Sequence, residues 1–490
     1  MAQNHFSVAG STSLHKVSPG GRIHIVGVCG VAMAQLAVAL TERGYEVSGS
    51  DREFYDPMGA LLKSSPVTLC KGYKRENVPH DVALVVIANA MFYDNPEVQI
   101  VEEKDLPYTS FPQILGEVLI GDRHSIVVCG THGKSTTTAL IASVLHRAGR
   151  KPSYFIGGMC EDLPKSLYVG DGDVSVVEGD EYHSAFYARV PKFNFYRAKT
   201  AIINAIEFDH ADIYPQIEDV VFEFRKLILD VPADGRVICC TDYPLVSQLV
   251  NEMQDEAQCT LLTFGKGADC DYRLKRREQK GIEQTVYVAS KRLGDVELRL
   301  PMMGEYNALN AVATLAALCE NGLTPAEVIE HLTHYQSVKR RQQVRYDQKG
   351  LVLIEDFAHH PTAVVGTVEA VREAYPEKKV WAVFEPRSNT SRRKVFQKQY
   401  ESAFDKADEV ILAKVTSSSR MNDDVELIDV GELAETINVS GTSCRAISAT
   451  KEIEEILLAE VGHNDVIVLM SNGSFGGLPA SLQAALEKRD

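Results

Sequence analysis

The sequence predicts an α/β fold of three domains, two Rossmann-like units flanking a central unit that opens on a glycine loop. Three observations predict it. Short apolar, β-branched runs alternate with helical segments along most of the 490 residues, the rhythm of parallel strands joined by crossover helices. One strand-to-helix junction, Ser125–Thr138, carries the run Gly130-Thr131-His132-Gly133-Lys134-Ser135. The composition then shifts at Ser337-Val-Lys-Arg-Arg341, and a new strand–helix series begins at Leu351. A chain of this length has room for about three domains, each with its own core.

Taken in order, residues 1–20 are polar and are expected to form a disordered N-terminus. Residues 21–122 form the first domain, with strands at Ile23–Val28, Glu46–Gly49 and Val82–Ile87 and a helix over Met33–Arg43. Gly116–Arg123 joins it to the second domain, 123–337, which has strands at Ile126–Val128, Val174–Val177, Thr200–Ile203 and Arg236–Cys240. The alternating stretch Gln258–Leu300 predicts antiparallel hairpins, and an amphipathic helix follows with Asn307 and Asn310 near its start. The third domain, 338–490, has strands at Leu351–Glu355, Val380–Phe384, Val410–Lys414 and Asp465–Met470. No internal repeat or low-complexity tract interrupts the series.

Composition narrows the partners. Hydrophobic residues make up 45% and charged residues 24%, ordinary for a soluble globular chain. The net charge of −16 argues against nucleic acid and anionic membrane as partners. Anionic ligands must then be held in pockets by local basic clusters. The ten cysteines form neither C-x-x-C pairs nor zinc spacings, which fits free thiols in a reducing cytoplasm. The first twenty residues lack the apolar core of a signal peptide, and no run is long enough to span a membrane.

The chemistry concentrates at strand ends. Gly130 and Gly133 let backbone N–H groups turn toward a triphosphate, Lys134 reaches its β/γ-phosphates, and Ser135 offers a hydroxyl to Mg²⁺. The general P-loop pattern wants glycine at position 128, where this chain has Val128, so the loop is a shortened variant. In the first domain, Ile25-Val-Gly27-Val-Cys29-Gly30-Val31-Ala-Met33 is followed by Asp51. It fails the dinucleotide fingerprint because residues 29 and 32 are Cys and Ala. It reads as a site for a nucleotide-sugar diphosphate, with Asp51 placed for a sugar hydroxyl, or as a structural βα turn.

Two acidic clusters, Glu178-Gly-Asp-Glu181 and Glu207-Phe-Asp209-His210-Ala-Asp212, end buried strands of the central unit. Oxygen-rich groups beside a phosphate loop suit Mg²⁺. Asn307-Ala-Leu-Asn310 either reads an adenine edge or caps a helix. Lys339-Arg340-Arg341, Asp356-Phe-Ala-His359-His360-Pro361 and Glu385-Pro-Arg387-Ser388-Asn389-Thr390-Ser-Arg392-Arg393 supply the polar groups of the third unit.

In this order the motifs resemble the Mur ligase family, ATP-dependent amide-bond-forming enzymes of peptidoglycan metabolism. The resemblance spans nearly the whole chain. Tyr182, the 207–213 run, Phe384-Glu-Pro-Arg-Ser-Asn-Thr and Met470-Ser-Asn-Gly-Ser-Phe-Gly-Gly are most similar to the recycling branch, the murein peptide ligases. That branch joins UDP-N-acetylmuramate to the tripeptide L-Ala-γ-D-Glu-meso-diaminopimelate through an acyl phosphate. The L-alanine-adding branch is the alternative.

The resemblance implies ATP and Mg²⁺ as cofactors, with UDP-N-acetylmuramate and the tripeptide as substrates. It implies a catalytic set of Lys134, Glu178, His210 and His359. ATP is expected at Gly130–Thr136, including Thr131 and His132, and at Asn307, Asn310, Arg341 and Asp356. Ser135, Glu178 and His210 are expected around the metal. The UDP-sugar is expected at Gly27, Cys29, Gly30, Val31, Asp51 and Asn89. The peptide is expected at His359, Arg387, Ser388, Asn389 and Arg392. Three positions depart from the family pattern: Ser135 replaces the more usual Thr, His183 replaces an acid, and Phe224 or Arg225 stands where several members carry a carbamylated lysine, so no carbamate is expected. Readings from other classes are a regulatory NTPase and a nicotinamide oxidoreductase.

Overall fold

The computed structural model describes residues 6–209, 213–415 and 426–489. The chain folds as two compact units, Met1–Ile206 with Val220–Thr263, and Glu207–Asp219 with Phe264–Asp490.

The first unit holds two large sheets and a short hairpin. Strands β1 (Arg22–Val26), β2 (Glu46–Asp51), β3 (Thr68–Lys71), β4 (Leu84–Ile87) and β5 (Tyr108–Ser110) form a parallel sheet in the order β3-β2-β1-β4-β5. That order reverses between β1 and β4, where ligands gather in open α/β sheets. Strand β4 reads as a continuous apolar run, as a strand buried on both faces does; Leu84, Val85, Val86 and Ile87 are all fully buried.

The second sheet of this unit begins with β6 (His124–Cys129), which feeds the glycine loop and the helix Lys134–Arg147. With it are β7 (Ser153–Phe155), β8 (Leu167–Tyr168), β9 (Val174–Gly179), β12 (Thr200–Ile203) and β13 (Arg236–Cys240), in the order β13-β12-β6-β9-β7-β8. Between β9 and β12 the short strands β10 (His183–Ala185) and β11 (Ala188–Pro191) pair as a hairpin. Strand β6 is flanked by β9 and β12 in parallel, so three strand ends open together around the loop.

The N-terminal segment differs from its expected disorder. Among residues 6–20, Phe6, Leu14 and Val17 are buried and Leu14–Lys16 forms a 3₁₀ turn. The Phe6 ring lies 4.7 Å from Tyr108 and 5.4 Å from Phe186. Three apolar anchors spaced through a polar tail suffice to order it, a pattern too sparse to show as periodicity.

Strand β14 (Thr260–Gly265) carries the chain into the second unit. There β15 (Tyr272–Lys280), β16 (Glu283–Ser290) and β17 (Gly294–Leu300) form the expected antiparallel hairpins, and the helix Glu305–Cys319 follows. A six-stranded sheet then assembles from β18 (Gln343–Gln348), β19 (Leu351–Asp356), β20 (Lys379–Phe384), β21 (Glu409–Ala413), β22 (Ser443–Ile447) and β23 (Asp465–Met470). Its order is β18-β19-β23-β20-β21-β22, parallel except at β18. The central strands β19, β20 and β23 end at Asp356, Phe384 and Met470, in register. No helix among the described residues is long and apolar enough to cross a membrane.

Candidate active site

The glycine loop after β6 is shaped by contacts that only glycine permits. Gly130 has φ +118°, and a Cβ there would lie 2.7 Å from the backbone N and O of Ala205. Gly133, at φ +79°, is the N-cap of the helix Lys134–Arg147 and brings no side chain to cap it. The first N–H groups of a helix have no intrahelical acceptor, so the loop presents donors and a positive dipole end together.

Lys134 Nζ donates to Gly130 O at 2.7 Å and to Glu181 Oε2 at 3.0 Å. Burial alone would lower the Lys134 ammonium, but Glu181, Asp180 and Glu178 beside it hold its pKa above the usual range. It is charged at any physiological pH. Ser135 Oγ donates to Glu178 Oε2 at 3.0 Å, and Gly157 N donates to Glu178 Oε1 at 2.5 Å. Ser135 and Glu178 are both buried. Two oxygen donors at this separation, one of them an ionisable carboxylate, form a donor set that suits Mg²⁺. Glu178 and Ser135 are thus brought together, while His210 lies outside the described residues. Thr131 N donates to Ala205 O at 2.9 Å, fastening the loop to the end of β12. His132 is half-buried and Thr136 buried in the same turn. Phe224 is a buried apolar side chain, 5.6 Å from the Phe193 ring, and Arg225 pairs with Glu252. His183 sits half-buried in β10.

In the first sheet Gly27 has φ +86°, and a Cβ there would meet Ala88 Cβ at 2.9 Å. Asp51, at the end of β2, accepts from Cys29 N at 2.8 Å through Oδ2 and from Tyr73 OH at 3.2 Å through Oδ1. Its carboxylate therefore holds the glycine loop together. Cys29 is buried and Val31 exposed at the helix start. Asn89 is exposed in the turn after β4. Beneath β2 the fully buried Glu97 accepts from His24 Nε2 at 3.3 Å, Asn77 Nδ2 at 2.6 Å, Lys74 N at 3.0 Å and the Ser50 hydroxyl.

In the second unit Asn307 and Asn310 do meet, Asn310 Nδ2 donating to Asn307 Oδ1 at 3.2 Å. Asn307 is 1% exposed and gives its amide hydrogens to Met303 O and Gln342 Oε1, both at 2.9 Å. Of the pair expected to flank an adenine or cap a helix, Asn307 is held inside the unit and its side-chain oxygen accepts from Asn310, itself 5% exposed. Gln342, which sequence reasoning passed over, also donates its N–H to Asp356 Oδ2 at 2.7 Å. It links the asparagine pair to the end of β19. Its left-handed backbone, φ +49°, carries no sequence signal because glutamine rarely adopts it. Burial raises the Asp356 carboxyl, opposed by Arg341 and by the N–H groups of Gln342 and Ala358. The Arg341 guanidinium lies 4.4 Å from the Phe357 ring centroid.

The segment Glu207–Asp209 packs on the same α/β sheet. Thr362 Oγ1 donates to Glu207 Oε1 at 3.0 Å, His360 Nε2 lies 3.3 Å from Phe208 O, and the Thr390 hydroxyl bonds Asp209. His359 is half-buried, its Nδ1 3.0 Å from Phe357 O. After β20, Arg387 and Asn389 are exposed and Ser388 is tied to Ser391 Oγ at 2.9 Å. Arg392 is only 7% exposed, and its buried Nε has no hydrogen-bond partner among the described residues. Burial and then the neighbouring Arg387 charge lower its pKa. The Glu385 carboxylate, 3.9 Å from Arg387 Nη1, opposes that lowering, and the unpartnered Arg392 Nε–H leaves a donor for a further acceptor.

Three family models match the chain in succession: the Mur ligase family catalytic domain over residues 22–123, the Mur ligase middle domain over 128–318, and the Mur ligase glutamate ligase domain over 340–473. The chain is 32% identical to the UDP-N-acetylmuramate–L-alanyl-γ-D-glutamyl-meso-2,6-diaminoheptandioate ligase of Escherichia coli, over 96% of this chain and 99% of that one. It is 30% identical to the UDP-N-acetylmuramate–L-alanine ligase of Chlorobium phaeovibrioides, over 96% and 98%. Among solved structures it resembles a murein peptide ligase from Psychrobacter arcticus, with a TM-score of 0.69 and 28% identity over 95% of this chain and 99% of that one. On this evidence the chain belongs to the Mur ligase family of ATP-dependent amide-bond-forming ligases.

Proposed function

We propose that this ligase joins the lactyl carboxylate of UDP-N-acetylmuramate to the amine of L-Ala-γ-D-Glu-meso-diaminopimelate. The observation that carries this reading is the Arg387–Arg392 pair of like charges, with the buried Arg392 Nε unpartnered among the described residues, an arrangement suited to an acceptor rich in carboxylates. The tripeptide brings three. Charge-assisted bonds to carboxylate are worth about 1.5–3 kcal/mol each, so one extra bond shifts preference by about ten- to hundredfold. Residues 21–122 would take the UDP-sugar, 123–337 the ATP and 338–490 the peptide. A cytoplasmic location is part of the reading, supported by ten free cysteines.

The chemistry begins with transfer of the γ-phosphoryl group: the β–γ bridging P–O bond breaks as a carboxylate oxygen bonds phosphorus. The amine nitrogen then attacks the acyl carbon. Phosphate departs with that carboxylate oxygen, and the ammonium proton passes to phosphate or solvent. Lys134 and the loop N–H groups hold and neutralise the triphosphate, which is positioning and electrostatic work. Ser135 and Glu178 are the described residues that would hold Mg²⁺, which when bound neutralises charge on phosphate oxygens. Asn310 and Arg341 are assigned to the nucleotide, and His359, Ser388 and Asn389 to the incoming peptide.

The L-alanine-adding reaction is the second reading, favoured by the 30% identity to the Chlorobium enzyme. Coupled phosphate release with each amine, with and without UDP-N-acetylmuramate, separates them. A higher kcat/KM for the tripeptide supports the first reading, and a higher value for L-alanine replaces it with the second.

A further inference from the structure

The turn after β23 lies directly against Arg387. A Cβ built on Gly473 would fall 2.3 Å from Arg387 Cδ and 2.4 Å from its Nε and Nη1. The arginine therefore rests on a bare stretch of backbone that any side chain would occupy. Its end group remains accessible, with the side chain 43% exposed.

The turn itself is fastened from several directions. Ser471 Oγ donates to Glu385 Oε2 at 2.5 Å and accepts from Gly473 N at 2.9 Å. The same carboxylate oxygen stands 3.9 Å from Arg387 Nη1. From the other side Arg340 Nη2 donates to Ser471 O at 2.9 Å and to the Gly473 carbonyl, while its Nε donates to Glu355 Oε1 at 2.9 Å. Ser471 N closes the arrangement on Asp356 O at 3.1 Å. Each of these contacts fixes the backbone under Arg387, and the Glu385 charge orients the guanidinium above it. An arginine on an exposed loop ordinarily samples many rotamers, and ordering it costs affinity when a ligand arrives. Here the cost is met before binding.

We infer that Gly473, with Ser471 and Glu385, is a positioning platform that presents the Arg387 guanidinium to a carboxylate of the amine substrate. The inference rests on the proposed assignment of the 387–392 loop to that substrate, and it adds a specificity role for residues that touch no reacting atom. The obstructing contacts are to a flexible side chain, so Gly473→Ala displaces the guanidinium at little cost to the fold.

The test is a double-mutant cycle on the ligation reaction, run with the amine that wild type turns over best; both candidate amines carry a carboxylate. Gly473→Ala and Arg387→Ala should each raise the amine KM by about ten- to hundredfold, the range for losing one charge-assisted bond. KM for ATP and for UDP-N-acetylmuramate should stay within about twofold, below the effect of one lost bond. The double variant should be no worse than Arg387→Ala alone. Ser471→Ala, which removes the tether without adding an atom, should move the same constant in the same direction, with the KM values for ATP and UDP-N-acetylmuramate again within about twofold. Amidating the substrate carboxylates should abolish the difference between wild type and Gly473→Ala. Multiplicative effects in the cycle, an unaltered amine KM in Gly473→Ala, or an equal rise in all three KM values would overturn the platform. A wild-type preference for L-alanine instead revises the proposed substrate and leaves the cycle to be read with that amine.

Discussion

The first unit contains two glycine loops of nearly the same backbone design and opposite electrostatics. Each follows a central parallel strand, each needs a glycine in the left-handed region, and each opens a helix: Gly27–Gly30 before Val31–Glu42, and Gly130–Gly133 before Lys134–Arg147. In the second, a half-buried lysine stands at the helix start, countered by Glu181 and backed by Ser135 and Glu178. In the first, the charged group is Asp51, whose carboxylate already holds the Cys29 N–H. A loop that spends a donor on its own carboxylate is a poor cradle for a bare triphosphate and a better seat for a ligand that brings hydroxyls. Backbone shape alone thus does not assign a ligand; the charges within hydrogen-bond reach do.

The largest effect that would sharpen this contrast is expected at Lys134. Lys134→Ala should lower kcat on the order of 10²–10³-fold while calorimetric UDP-sugar binding stays intact. Equal loss of both would show that the two loops are not separate sites. Next comes Glu178→Gln, which keeps the shape and removes the charge. Groups one step behind a metal ligand already cost about 10–100-fold in metal affinity when lost, so the Mg²⁺ titration of activity should move by at least that factor. An unshifted titration would reduce Glu178 to a support for Gly157.

A third change acts on the first loop through its foundation. Burial alone would raise the Glu97 carboxyl, but hydrogen bonds from His24, Ser50 and Asn77 outweigh it and hold it below the ordinary range. Its stabilisation is therefore fully present above the unfolded pKa of about 4.3 and is lost as pH falls through the lower folded value. Glu97→Gln should cost about 1–3 kcal/mol at neutral pH and flatten the acid limb of a denaturation series; an unchanged acid limb would contradict the network. The smallest effect is expected from Asp51→Ala, which frees the Cys29 N–H. A lost neutral-donor contact of about 1 kcal/mol should raise the KM for UDP-N-acetylmuramate about fivefold and leave that for ATP alone. A matching rise for ATP would erase the distinction between the loops.

Much of the central loop was legible because its chemistry is local. Gly130, Gly133, Lys134 and Ser135 are consecutive or nearly so, and the strand before and helix after them follow from β-branched and helical runs. The second unit was less legible. Asn307 and Asn310 were visible as a pair, but Asn307 is held by Gln342, thirty-five positions away. The ordered tail at Phe6 was invisible for the same reason: its partners Tyr108 and Phe186 lie far along the chain.

What the sequence determined by itself was the alternation of strands and helices, the glycine turns and the residue types gathered at strand ends. Hydrophobic periodicity and φ restrictions act over a few residues, so they can be read from order alone. Only the tertiary structure decided which of those residues share a proton, a charge or a surface. Parallel strands bring their carboxyl ends together from distant parts of the chain, as Asp356, Phe384 and Met470 do. Contacts such as Gly473 under Arg387 leave no trace in composition or spacing, because a glycine that makes room for a distant side chain looks the same in sequence as one that merely turns the backbone.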